Sequence, residues 1–511
     1  MHKRNIAFLG LVLWALQVAG QTAPGYKAPQ FTDTDRMAKI RAAIPEVENI
    51  FRAFAQNNQI PGYAFGIVVD GQLAFKGSGG IANLQKTYSA TPTSLFRIAS
   101  MTKSITAMAI LQLRDAGKLS LHDPVAKYLP ELGRIAPLTA DAPPPTIFNL
   151  LTMTAGFPED NPWGDRQLED SDQDFLDFLR DGISFSTIPS AGYEYSNLGY
   201  AMLGSIISRV TGMPYQKYIN ETIFKPLGMD DTHWEYEGLP EKKLALGYRW
   251  EDSQWKPEPM LHDGVYGAMG GLITTIEDFG KYLAFHLSAW PARNDLQTAP
   301  LGRAAVREMH KMTEPRLNAE AKDSGGAPCP VMVAYGYGLR VQKDCKGVLQ
   351  VAHSGGLPGF GSNFTFLPDY GIGVILFANR TYAPATAANN LAIQAILRSA
   401  SLEPRRLPVS DILARRKEQV FQLLQTWKAG GEEDFLAENF YLDSDLEHRR
   451  QDAAAIFAKA GKPIEAGPLV PENQLRGTFR IRCEQRSVEV FFSLSPEKNP
   501  KVQALTLRVV E

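Results

Sequence analysis

The chain has 511 residues, a formal net charge of −2 and 44% hydrophobic residues. That length has room for two or more domains and the apolar share is enough for a large core. Acidic and basic residues are mixed, which excludes a nucleic-acid surface built on a basic stripe.

Residues 1–20 read as a signal peptide. His2-Lys3-Arg4 is a basic start, Ile6 to Ala19 is a short apolar run, and Val18-Ala19-Gly20 ends in small residues suited to cleavage. The expectation is a periplasmic or secreted protein with no membrane span after cleavage, because no later segment is long and apolar enough to cross a bilayer. Arg36 to Asn57 then reads as an amphipathic helix. Tyr63 to Phe75 reads as two strands around Asp70-Gly71, a two-residue hairpin turn.

Ser100-Met101-Thr102-Lys103 opens the next helix, which runs with broad amphipathicity through Ile105, Met108 and Leu111 to a stop at Gly117. A serine and a lysine three apart in a first helical turn share a face. The amine can then take the serine proton and make the hydroxyl a nucleophile. The same spacing occurs at Ser253/Lys256 and Ser495/Lys498, but prolines at 257 and 496 argue against a helix there.

Short helices are expected at Thr146 to Thr154, Tyr195 to Val210 and Tyr215 to Phe224. Strands are expected at Tyr337 to Val341, Val348 to His353, Asn363 to Leu367 and Gly373 to Ala378. A helix from Ala385 to Ser399 follows. Strands at both ends of this region and helices between them imply one antiparallel sheet built from both ends of the region, with a helical insertion. Glu403 to Pro408 reads as a linker. Beyond it, helix from Val409 to about Ala460 and strands at Arg476 to Gln485, Ser487 to Leu494 and Val502 to Val509 make a C-terminal α+β unit.

A serine–lysine pair needs a proton relay and oxyanion donors. Tyr195-Ser196-Asn197 offers a phenol and an amide. His353-Ser354-Gly355 offers polar groups at a strand end, with Gly355 and Gly356 allowing close backbone approach. Tyr218-Ile219-Asn220 and His262-Asp263-Gly264 repeat these patterns in less suitable settings, an apolar helix and a loop. No Cys/His cluster or HExxH suggests a metal, and no cofactor is expected. Cys329 and Cys345 flank a strand-like run and could meet across a loop base. Cys483 is left over, and the pairing stays open.

Phe96-Arg97-Ile98-Ala99-Ser100-Met101-Thr102-Lys103, Tyr195-Ser196-Asn197 and His353-Ser354-Gly355, in this order, resemble the serine beta-lactamase-related family. Class C beta-lactamases, low-molecular-weight penicillin-binding proteins, D-aminopeptidases and related esterases belong to it. The flanks Leu150 to Gly156, Phe224 to Met229 and Gly270-Gly271-Leu272 are similar too. The resemblance implies an α/β/α sandwich with an antiparallel sheet and a helical insertion over residues 33–402; the α+β unit at 409–511 lies outside it, a separate domain of unknown role. It implies Ser100 as the acylated nucleophile, Lys103 as its proton acceptor and Tyr195 as base or relay. Asn197, His353 and Ser354 would bind substrate, and the N–H groups of Ser100 and Gly356 would form the oxyanion hole. The implied reaction is cleavage of an amide or ester in a small-molecule or peptide substrate, of peptidase, D-amino-acid amidase or esterase type. The alternatives are a true beta-lactamase and a catalytically silent binder of cell-wall fragments. Histidine at 353, where efficient beta-lactamases resemble Lys-Thr-Gly, leans away from the first of these. The oligomeric state is not legible.

Overall fold

The structure, a computed structural model, describes residues 26–297, 299–323, 325–427 and 435–511. The expected signal peptide, 1–20, lies outside them. The chain divides into two compact units, Phe31–Arg406 and Leu407–Glu511 together with residues 26–30.

The larger unit is built on a nine-stranded sheet. In chain order its strands are β1 Gly62–Val69, β2 Gln72–Asn83, β3 Tyr88–Ser89, β4 Thr313–Asn318, β5 Val331–Tyr335, β6 Arg340–Lys343, β7 Leu349–Leu357, β8 Phe360–Leu367 and β9 Ile372–Ala378. The order across the sheet is β3-β2-β1-β9-β8-β7-β6-β5-β4, antiparallel throughout. The first strand of this unit thus pairs with its last. The Asp70-Gly71 turn has both residues at positive φ, 50° and 82°, which gives a two-residue hairpin the right twist.

Both faces of the sheet are covered, so the central strands are apolar on both sides. Phe65, Ile67, Val374 and Leu376 face one core, where the Arg36–Asn57 helix contributes Ile40, Val47 and Phe51 and the Ala385–Ser399 helix contributes Ala392 and Ile396. Ala64, Val68, Ile375 and Phe377 face the opposite core with Phe279 of a helix at Ile276–Ser288 and Met108 of the helix at Thr102–Asp115. The Thr102–Asp115 helix is not amphipathic in its setting. Every residue from Thr102 to Leu111 is buried. Its hydroxyls are satisfied locally or by neighbours: Thr102 Oγ1 donates to Ala99 O, Ser104 Oγ to Met101 O and Thr106 Oγ1 to Ala268 O.

The strand-like run between Cys329 and Cys345 is two strands, broken by a turn at Gly336 to Leu339 where Gly338 takes a φ of 69°, so the strand expected at Tyr337 to Val341 begins at Arg340. A Cβ on Gly338 would lie 2.6 Å from Lys103 O, so this turn rests directly on the buried helix. Cys329 and Cys345 form a disulfide that closes the β5–β6 hairpin, and Cys483 is free and buried. The helical insertion occupies the chain between β3 and β4.

The smaller unit has a five-stranded antiparallel sheet in which Arg476–Cys483 and Ser487–Leu494 alternate buried and exposed positions. Phe479, Ile481, Val488, Val490 and Phe492 pack with Leu413, Val420, Leu424 and Phe440. Among the described residues the expected continuous helix is three helices, Asp411–Thr426, Asn439–Asp443 and Leu446–Ala460, and the sheet gains short strands at Pro463–Ala466 and Val470–Asn473. Among the described residues no helix is long and apolar enough to cross a membrane.

Candidate active site

Ser100 sits in a single 3₁₀ turn, Ala99–Met101, that runs straight into the Thr102–Asp115 helix. Ala99 has a φ of 51°, a left-handed conformation that disfavours a side chain by roughly 1 kcal/mol or more. The turn is held in that shape from outside. Ile98 N donates to Leu272 O, and Ser362 Oγ of β8 donates to Ile98 O at 2.7 Å. Strand β7 passes just as close. A Cβ on Gly355 would stand 2.1 Å from Ile98 O, so only glycine lets the strand approach the serine turn. β6 pairs with β7 over residues 349–352, and residues 353–357 run on past its end along the turn.

Lys103 is 0% exposed. Its Nζ donates to Ser100 Oγ at 2.9 Å, Asn197 Oδ1 at 2.6 Å and Met269 O at 2.9 Å, which uses all three ammonium protons. Burial pulls its pKa down to about 7, against the opposing fields of Asp165 and Asp160. The neutral amine is therefore within reach near neutrality, unlike that of an exposed lysine. Tyr195 lies just before the Asn197–Thr211 helix, with its ring centroid 5.0 Å from Lys103 Nζ. Burial raises its phenol well above the usual value, while the Ser100 side chain works in the opposite direction. Tyr195 is thus a neutral phenol at physiological pH.

Ser100, Tyr195, His353, Ser354 and Gly356 line one cavity of about 410 Å³, together with Asn161, Asp165, Arg340 and Tyr382. A wider cleft of about 780 Å³ beside Arg52, Tyr63, Trp250 and Trp255 has no lysine, histidine or aspartate in its wall. The look-alike residues are absent from the 410 Å³ cavity. Ser253 is in a hairpin turn, Tyr218 is on a separate helix, and His262 contacts Tyr236 and Glu235.

Two expected substrate ligands are differently engaged. Asn197 is fully buried; its Oδ1 takes the lysine and its Nδ2 donates to Asn161 Oδ1 at 3.2 Å. Asn161, not Asn197, stands in the cavity wall. His353 is 1% exposed, with Nδ1 bonded to Ser354 O at 2.6 Å and Nε2 to the Tyr335 hydroxyl at 2.8 Å. A carbonyl can only accept, so Nδ1 carries the proton and Nε2 accepts from Tyr335. Burial, Lys103 and Arg340 hold the ring neutral. With both nitrogens occupied, His353 has none left for a substrate carboxylate. It ties β7 to β5 through Tyr335. The cation facing the cavity is Arg340 on β6.

Sequence reading missed the segment Asp160 to Asp165. Asp160 accepts from Asn197 N at 2.6 Å and Leu198 N at 2.9 Å, placing a carboxylate on the helix N-terminus where the dipole favours it. Gly164 packs on Asn197; a Cβ there would be 2.9 Å from Asn197 Cβ. Asp160-Asn161-Pro162 does carry helix-start chemistry, but nothing local says which distant helix it caps.

The Beta-lactamase family model matches residues 47–398. The chain belongs to this family. "Protein flp" of Staphylococcus aureus is 30% identical over 350 residues, covering 66% of this chain and 64% of that protein. "Beta-lactamase-like protein 2" of Dictyostelium discoideum is 29% identical over 306 residues, covering 58% of this chain and 55% of its own length. The chain thus spans less than two thirds of these curated relatives. Among solved structures, an octameric penicillin-binding protein homologue from Pyrococcus abyssi superposes with a TM-score of 0.58 at 22% identity, covering 91% of this chain and 99% of that one. The beta-lactamase/transpeptidase fold is shared, with the small C-terminal sheet unit as a separate body in this Beta-lactamase family member.

Proposed function

We propose that the protein is an exported serine hydrolase that cleaves amide or ester bonds through an acyl-enzyme on Ser100. The observation that carries this reading is the buried Lys103 amine, lowered to about 7, lying 2.9 Å behind Ser100 Oγ, with Ser100 itself in the wall of a cavity. Neutral Lys103 takes the Ser100 proton as Oγ bonds to the substrate carbonyl carbon. The carbonyl oxygen becomes an oxyanion under the N–H groups of Ser100 and Gly356, each such donor lowering the barrier by about 3 kcal/mol. The bond to the leaving nitrogen or oxygen then breaks, and Tyr195 passes it a proton that Lys103 replaces. Water repeats the cycle on the acyl group and frees Ser100. A phenol held neutral by burial suits a relay better than a phenolate base. Asn161 offers an amide to the acyl side, and Arg340 offers a cation to an anionic part of the substrate. Asn197 and His353 act by holding Lys103 and β7.

Peptidase, amino-acid amidase or esterase action is favoured over antibiotic hydrolysis because His353 is neutral and has no free ring nitrogen. The leader-like residues 1–20 and the Cys329–Cys345 disulfide support export to an oxidising compartment. A fluorescent penicillin or fluorophosphonate should label Ser100 and fail on Ser100→Ala. Label on another residue, or equal label on the variant, refutes the reading. Rapid, sustained nitrocefin turnover would identify a true beta-lactamase instead.

A further inference from the structure

Asp165 stands in the wall of the Ser100 cavity and is 2% exposed. Its two oxygens are in different situations. Oδ2 accepts from the Tyr382 hydroxyl at 2.9 Å, whereas Oδ1 is buried with no hydrogen-bond partner. Among the described residues no Lys, Arg or His nitrogen lies within 4.0 Å of either. A buried charged acceptor without a donor is destabilising, and an N–H group on a ligand offsets that desolvation. The neighbouring Asp160 makes the contrast: both of its oxygens accept backbone N–H bonds.

Tyr382 marks the way in. It is 49% exposed and holds a strained φ of 49°. Its ring lies so close to Gly356 that a Cβ there would be 2.7 Å from Tyr382 Cδ1. The Tyr382–Asp165 bond therefore joins the loop after β9 to the helical insertion, two borders of the same cavity. A single hydrogen bond from the hydroxyl of a half-exposed ring is the part that yields when a ligand reaches Oδ1.

We infer that Asp165 is a specificity determinant that takes a protonated amine on the acyl side of the substrate, so that the chain prefers aminoacyl amides or esters with a free amine. The assignment to the acyl side rests on Ser100 being the acylated residue. A cation satisfies Asp165 in a way a neutral donor does not, because it supplies both the missing hydrogen bond and the countercharge of a desolvated carboxylate. Burial pushes this carboxyl above its ordinary value even against the Tyr382 hydrogen bond and the field of Lys103, so desolvation outweighs the compensation present.

The test avoids turnover. Full-length Ser100→Ala protein is titrated calorimetrically with alaninamide and with N-acetylalaninamide, each in both hands. At least one hand of the free amine should bind about tenfold or more tightly than its acetylated partner, the value of one charged hydrogen bond. Adding Asp165→Asn should bring the two ligands within about twofold. Adding Tyr382→Phe, which removes the tether and keeps the charge, should preserve the preference. Equal affinities on Ser100→Ala, no detectable binding of either ligand, or a preference that survives Asp165→Asn each overturn the assignment. If the Asp165 variant does not fold, the two-ligand comparison on Ser100→Ala still decides. Fluorophosphonate labelling of the native chain separately tests the nucleophile, so failure of one reading is not mistaken for failure of the other.

Discussion

Gly355→Ala should detach the sheet from the serine turn. The added Cβ would lie 2.1 Å from Ile98 O, 2.3 Å from Ser362 Oγ and 3.0 Å from Ala99 Cβ. An ordinary carbon–oxygen contact is about 3.3 Å, so β7 and the turn must part by about 1 Å. Gly355 is not in the left-handed region, so alanine brings no backbone strain and the perturbation is purely steric. Overpacking of this kind costs about 1–3 kcal/mol of stability, which a domain of this size tolerates. The kinetic effect is larger, because Ser100 is on one side of the gap and Gly356 on the other. Misplacement by about 1 Å costs roughly a hundredfold in rate, and loss of an oxyanion donor costs about 3 kcal/mol. The second-order rate of fluorophosphonate labelling at Ser100 should fall by about 10²-fold, with the near-UV circular dichroism unchanged. Gly133→Ala, where a Cβ meets nothing within 4 Å, is the control and should label at the native rate. A Gly355→Ala protein labelling within about threefold of native would refute the argument that this approach builds the site.

The labelling rate should rise as pH increases through about 7, because in the proposed mechanism the Lys103 amine accepts the serine proton only when neutral; a flat profile from about pH 5 to 9 contradicts this. Tyr195→Phe should cut substrate turnover by about 10²-fold or more while leaving KM nearly unchanged, read from steady-state kinetics on an ester. His286 and His310 form a buried chain in which Trp290 Nε1 donates to His310 Nδ1 and His310 Nε2 faces His286 Nδ1 at 2.8 Å. Burial holds His286 at about 3, below its unfolded value of 6.5, so its neutral form stabilises the fold above 6.5 and that stability is lost as pH falls toward 3. Between pH 6.5 and 5 this one group accounts for about 2 kcal/mol; His286→Phe should shrink the fall in urea-derived stability by about that amount, and an unchanged fall refutes it. Cys329→Ala with Cys345→Ala should lower unfolding free energy by about 3 kcal/mol, since the bridge closes a loop of 16 residues' separation; an unshifted urea midpoint would contradict the loop-entropy argument.

Much of this protein is legible locally. Asp70-Gly71 dictates its hairpin, and the 3.6-residue pattern dictates the Arg36–Asn57 and Ala385–Ser399 helices. Ser100 and Lys103 meet because they stand three positions apart on one helical path. The strand Thr313–Asn318 and the helix Ile276–Ser288 escaped, the first because a nearly fully exposed edge strand shows no apolar alternation. The chemistry of the site depends on distance rather than neighbourhood. Lys103 is an ordinary lysine until Met269, Asn197 and the sheet close around it; only exclusion of water brings its amine to about 7. Asp165 and Tyr382 lie in loops with no pattern of their own, and Asp160 carries only a local helix-start signal; their roles arise where the insertion meets the sheet. Sequence alone set which groups are on hand and the helical turn that pairs two of them. Tertiary structure decided their protonation, their free oxygens and their partners, because desolvation and long-range hydrogen bonds arise only once segments far apart in the chain pack together.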